Sequence, residues 1–88
     1  MNVQFRTSFL RDLKGISDTA LRGRVKELIL GLESAGDLLE VKDVKRLHAK
    51  GRYYRIRVGD YRMGIVVEGN TAACVRFLHR SEIYRYFP

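Results

Sequence analysis

The side chains best suited to chemistry in this sequence are arginines. Arg55, Arg57, Arg62 and Arg80 lie in a C-terminal half that also carries Lys42, Lys45, Arg46, Lys50, Arg52, Arg76 and Arg85, against only Asp43, Asp60, Glu68 and Glu82. A guanidinium is planar, permanently charged, and able to hold two oxygens of one phosphate at once. Arginines set on adjacent antiparallel strands repel one another. A cluster of them therefore fits an anionic ligand, and the competing reading is a solvated sheet face. His79 is the one side chain near this set whose unperturbed pKa is close to neutrality. It precedes Arg80 at a strand end, where it acts either as a base or as a structural hydrogen-bonding group. His48 reads as a surface residue. Cys74 is the single cysteine. It has no partner for a disulfide and no zinc-type spacing, and it reads as a small buried filler; no metal or other cofactor is expected.

The elements that must position these arginines follow from periodicity. Val3 to Arg6 alternates as a short strand. Thr7 is placed to cap a helix carrying Phe9, Leu10 and Leu13, which ends at Gly15. Ser17 or Asp18 caps a second helix with the apolar stripe Leu21, Val25, Leu28, Ile29 and Leu32, and Gly36 is its expected stop. Asp37 to Gly51 reads as a loop with a little strand, held by Leu38, Leu39, Val41, Val44 and Leu47. From Arg52 the period becomes two. Tyr54, Ile56 and Val58 share one face, and Tyr53, Arg55 and Arg57 share the other. Gly59-Asp60 and Gly69-Asn70 signal tight turns on either side of a strand from Tyr61 to Glu68, and Thr71 to His79 forms the next strand. Ser81 can cap a last helical turn containing Ile83, Tyr84 and Phe87.

The expected fold is α+β. An N-terminal strand and an αα-hairpin pack on one face of an antiparallel β-meander, followed by a short C-terminal helix, all in a single domain over residues 1–88. With the aliphatic residues turned to the helices, Arg55, Arg57 and Arg62 face away. Gly64 leaves room above the sheet. On one reading Cys74, Arg76 and Leu78 are the outward set of the last strand, but that strand is apolar enough to read either way. The chain has 88 residues, 45% of them hydrophobic, with one proline and a net charge of +7. That is enough for one modest core and is not a disordered composition. No apolar run approaches membrane-spanning length and the N-terminus lacks the apolar stretch of a signal peptide, so a cytoplasmic protein is expected.

The string Tyr53-Tyr54-Arg55-Ile56-Arg57-Val58-Gly59-Asp60-Tyr61-Arg62, followed by His79-Arg80-Ser81-Glu82-Ile83-Tyr84, resembles the RelE/ParE superfamily of bacterial and archaeal toxins, and within it the RelE branch. The likeness covers nearly the whole chain. It implies an enzyme of the mRNA interferase type, which enters the ribosomal A site, cleaves mRNA there without a metal, and is held inactive by an acidic RelB-like antitoxin in a hetero-oligomer. It also implies a catalytic set made of Arg55, Arg57, Arg62, Arg80 and Tyr84. Lys42, Lys45, Arg46, Lys50, Arg52 and Arg76 are then candidates for contacts to RNA or ribosomal RNA phosphates. The ParE branch has the same fold but acts on DNA gyrase without cleavage, and a basic RNA-binding module with weak activity is a further alternative.

One departure from the RelE pattern affects the chemistry. The type member has lysines where this chain has Arg55 and Arg57, and the first of those lysines is its general base. Cleavage by 2′-OH attack needs a base, positive charge on the phosphorane-like transition state, and an acid for the 5′-oxygen. Arginine supplies the charge. Its pKa, above about 12, leaves almost no neutral form to act as a base. The base is then Tyr84, His79, or none at all, with strain and electrostatics carrying the reaction. A slow nuclease is expected. Arg55→Lys should therefore speed mRNA cleavage in a purified translation assay, and an unchanged or lower rate would contradict this reasoning.

Overall fold

A computed structural model describes residues 1–47 and 51–88 of the chain. His48, Ala49 and Lys50, and with them the readings of His48 as surface and Lys50 as a phosphate contact, lie outside the described residues. Five strands form one sheet: β1 (Asn2–Phe5), β2 (Val44–Arg46), β3 (Tyr53–Val58), β4 (Tyr61–Glu68) and β5 (Thr71–His79), in the spatial order β1-β5-β4-β3-β2. The meander β3-β4-β5 is antiparallel as expected, and β2 adds to it antiparallel to β3. β1 pairs with β5 in parallel, so the sheet as a whole is mixed. The helices are α1 (Thr7–Lys14), α2 (Thr19–Ser34) and α3 (Ile83–Tyr86), with a short 3-10 turn at Leu38–Glu40.

Asp18 caps α2, its carboxylate accepting the Leu21 N–H at 3.1 Å. That satisfies one of the donors a helix leaves unpaired at its start. Thr7 does not cap α1. It is the first helical residue, the capping position belongs to Arg6, and no side chain fills that role. The helix is secured instead by its side. Phe9 is fully buried, Ser8 Oγ donates to the Val75 carbonyl, and Asp12 reaches the backbone of Phe77. From α2, Leu21, Val25 and Leu32 enter the core, where they meet Ile56, Val58, Met63, Ile65 and Phe77 of the sheet.

The register of β5 departs from simple alternation. Gly64 pairs with Arg76, whereas the next residue of β4, Ile65, pairs with Cys74. Val75 has no counterpart, which makes a bulge. The extra residue shifts the phase of β5. Arg76 and Leu78 stay on the open face, opposite Gly64 and Arg62, but Cys74 turns into the core and is fully buried. Of the two readings of β5, the one that turns Cys74 outward is corrected, with the bulge as the reason, and Cys74 is the small buried filler that its type suggests.

A second correction concerns the space above Gly64. The chain after α3 folds back over the open face, and the Phe87 ring sits directly on Gly64. A Cβ at residue 64 would lie 2.7 Å from that ring. Phe87 is only 2% exposed and meets Tyr53 edge-on at 5.9 Å between centroids. The room left by the glycine is therefore filled by the protein itself. Gly64→Ala should lower stability by about 1–3 kcal/mol in denaturant titrations, because the ring must move. The same substitution made on top of Phe87→Ala should have little further effect, which a double-mutant cycle measures directly.

Candidate functional site: an arginine-lined cavity at the hairpin end

The turn Gly59-Asp60 joins β3 to β4, and Gly59 has φ +60°, a conformation glycine adopts without penalty. Around this turn lies a cavity of about 390 Å³. Arg57 from β3, Arg62 from β4 and Arg80 from just beyond β5 line it, together with Asp43 and Asp60. Arg57 and Arg62 are direct cross-strand partners, the arrangement in which like charges repel. Each arginine is tethered. The Arg57 Nη2 stands 3.5 Å from Asp43 Oδ1. The Arg80 Nε is 4.0 Å from Asp60 Oδ1, and the Arg80 backbone N–H donates to the Asp60 carbonyl at 2.7 Å. The Arg62 Nη1 donates to the carbonyls of Gly59 and Tyr61, both at 2.9 Å.

Asp43 organises the other side of the cavity. It is the one described non-glycine residue with a positive φ, +66°, a conformation that aspartate tolerates better than most side chains. Its carbonyl accepts the Arg57 backbone N–H at 3.2 Å and the Arg55 Nη1 at 3.3 Å.

Arg55 is on the same face as Arg57, but one row further along, opposite Gly64 and its covering Phe87. It does not line the cavity. Its Nε is enclosed and has no acceptor among the described residues. The structure therefore groups Arg57, Arg62 and Arg80 and sets Arg55 beside them. Tyr84 is 58% exposed on α3 and is not part of the cavity wall.

His79 stands apart from the arginines. It pairs with Tyr61, whose ring it meets edge-on at 5.6 Å. Its Nδ1 accepts the Ser81 N–H at 3.2 Å and lies 2.8 Å from Ser81 Oγ. These bonds shape the turn after β5.

The remaining basic residues do not form one surface. Lys45 is the cross-strand neighbour of Arg55. Arg46 donates through Nε to the Gly51 carbonyl at 3.2 Å. Arg52 stands 3.9 Å from Glu68. Lys42 lines shallow hollows against α2.

Arg76 has a structural partner. Its Nε and Nη2 donate to the two oxygens of Asp12 at 2.7 and 3.1 Å, and Asp12 Oδ2 also accepts the Phe77 N–H at 2.9 Å. The Tyr86 ring lies 5.4 Å from the guanidinium carbon. The hydrogen bonds that Arg76 donates to Asp12 hold its pKa above the ordinary value. The Cys74 thiol, buried in the core, is pushed up to about 12 by desolvation and is no nucleophile. Among the described residues no group of His, Cys, Asp or Glu could hold a metal ion, and no helix is long and apolar enough to cross a membrane.

Sequence reasoning missed Arg24 of α2, which also lines the cavity. Nothing in its spacing separates it from the other polar residues of that helix. It also missed the anchoring roles of Asp43 and Asp60.

A family profile described as the ParE toxin of type II toxin–antitoxin systems matches residues 3–84. The chain belongs to that toxin family. A curated relative, Toxin RelE3 from Methanocaldococcus jannaschii, is 43% identical over 89 residues and is covered completely, as is this chain. Among solved structures, the RelB-RelE antitoxin-toxin complex from Methanococcus jannaschii contains a chain that matches with a TM-score of 0.81 at 41% identity, covering 97% of this chain and 99% of that one. The RelE-RelB complex from Pyrococcus horikoshii OT3 matches with a TM-score of 0.75, covering 93% and 97%, and at 24% identity it shows the shared fold alone. Within the superfamily this toxin is of the RelE type.

The toxin's α1 owes its seat to Asp12, whose side chain is 10% exposed while that of Arg76 is 25% exposed. Asp12→Ala should lower unfolding free energy by about 2–3 kcal/mol, since it leaves a charge and a backbone N–H without their acceptor. Asp12→Asn keeps one acceptor and should lose clearly less in the same denaturant titration.

Proposed function

We propose that this toxin is a ribosome-dependent endoribonuclease that cleaves mRNA in the A site and thereby stops translation. The observation that carries the proposal is the cavity in which Arg57, Arg62 and Arg80 converge around one tight turn. Three guanidinium groups, each oriented by a neighbouring acceptor, can surround one phosphodiester and stabilise the negative charge that grows on it during 2′-OH attack. The toxin supplies charge that is already in place, and the ribosome supplies the in-line geometry of the strand. Arg55 contributes from the adjoining row, and Tyr84, exposed on α3, is free to stack on a base or to take a proton. His79 is a poor base in this scheme, because Ser81 occupies its Nδ1 and the ring does not line the cavity. The proton-abstracting role then falls to Tyr84 or to none of the toxin's own groups, consistent with a slow enzyme.

The two archaeal relatives solved as complexes are named for their RelB antitoxins. By the same reasoning an acidic RelB-like antitoxin is the partner of this toxin in a hetero-oligomer. The surface rich in arginine suits an acidic segment, and covering it would shut the site. The ParE name of the matching profile keeps one rival reading in play, a gyrase inhibitor without nuclease activity.

Expression followed by primer extension on translated mRNA separates the two. Cuts within codons should appear with the parent toxin. They should fall roughly a hundred-fold or more with Arg80→Ala or Arg62→Ala, and about ten-fold with Tyr84→Ala. DNA damage signalling with intact mRNA would establish the gyrase reading instead.

A further inference from the structure

The cavity has one wall that does not come from the sheet. Arg24 sits on α2 close to the buried Leu21 and Val25, so its backbone is fixed on the core. Its side chain extends over the β3–β4 turn, where Nη1 stands 3.0 Å from the place a Cβ would occupy at Gly59. Any residue larger than glycine at that position would crowd the guanidinium. The other three arginines of the cavity are each tethered, to Asp43, to Asp60 or to the turn carbonyls. The Arg24 side chain makes no hydrogen bond or ion pair with any described residue. It is a permanent cation facing a cavity whose carboxylates are already matched.

We propose that Arg24 is a substrate-binding residue, which takes a non-bridging oxygen of an RNA phosphodiester from the helical side while Arg57, Arg62 and Arg80 hold it from the sheet. This rests on the nuclease reading above and adds to it a contact from the helical layer. Binding through Arg24 displaces only solvent, whereas a contact to Arg57 or Arg80 must compete with an aspartate. Arg24 is thus the cation that meets an incoming strand with least rearrangement.

The test is the salt dependence of binding to a fluorescein-labelled single-stranded RNA of about six nucleotides, carrying 2′-deoxyribose throughout its cleavable positions. Each phosphate neutralised on a single strand contributes about 0.7 to the slope of log affinity against log salt. Arg24→Ala and Arg24→Gln should each lower that slope by about 0.7 and weaken binding about three- to five-fold near physiological salt. Both should fold, since position 24 is an exposed helical site where alanine and glutamine are good helix formers. Lys26→Ala removes the same charge from the same helix, at a residue that lines a groove between the two helices instead, and should leave the slope unchanged.

An Arg24 variant with the parent's slope, alongside an Arg57→Ala variant whose slope falls, would overturn the assignment of Arg24 and leave the nuclease reading standing. An equal loss from Lys26→Ala would also overturn it, by showing a general charge effect. If neither the parent nor Arg57→Ala shows salt-dependent binding, the reading of the cavity as an RNA site falls and Arg24 falls with it.

Discussion

The strand β5 carries one residue more than β4 can pair with, and which of its side chains enter the core depends on how that surplus is absorbed. Val75 takes it up as a bulge between the pairs Gly64–Arg76 and Ile65–Cys74. Such a feature is stable only if its displaced backbone groups find partners. Here α1 supplies them, with Ser8 on the Val75 carbonyl and Asp12 on the Phe77 N–H. Because Ser8 and Asp12 are four residues apart, they project from the same side of the helix. One docking event thus holds the bulge, places α1, and fixes Arg76 at the open face. Without the bulge, Cys74 and Phe77 could not both enter the core.

The arginine cavity depends on a balance of charge. Three guanidinium groups around one turn would repel in isolation, and the toxin offsets this with two aspartates and a pair of turn carbonyls. The two ion pairs are long and largely exposed, the class that contributes at most about 1 kcal/mol, whereas Arg62 is held by shorter bonds to backbone carbonyls. The aspartates orient Arg57 and Arg80 without locking them. Asp12 and Arg76 form the opposite case, a bidentate and largely buried pair that serves the fold.

Much of this could be read from the sequence. Period-two alternation locates β3 and β4, and so places Arg55, Arg57 and Arg62 on the face away from the helices. The Gly59-Asp60 and Gly69-Asn70 turns were legible because a tight turn restricts residue choice. The phase of β5 was not. Its run from Ala72 to Val75 is apolar on both sides, and a bulge leaves no mark in such a segment. The partnership of Asp12 with Arg76 and the seating of Phe87 on Gly64 join residues far apart in the chain, which local patterns cannot reveal. Arg24 was illegible for the same reason: its importance arises only where α2 passes over the hairpin.

The way α1 follows β1 has a further consequence. β1 stops at Phe5, so the second half of β5 would be an open edge, a row of unpaired N–H and C=O groups that invites pairing with another molecule. Ser8 and Asp12 occupy that row. At the far side of the sheet β2 is only three residues long and carries Lys45 and Arg46, and short, charged strands are poor templates for further pairing. The length of β5 beyond β1 and the β2 margin are thus both poor places for another strand to add, so the arginines beside them face solvent from a sheet that offers little backbone there for pairing.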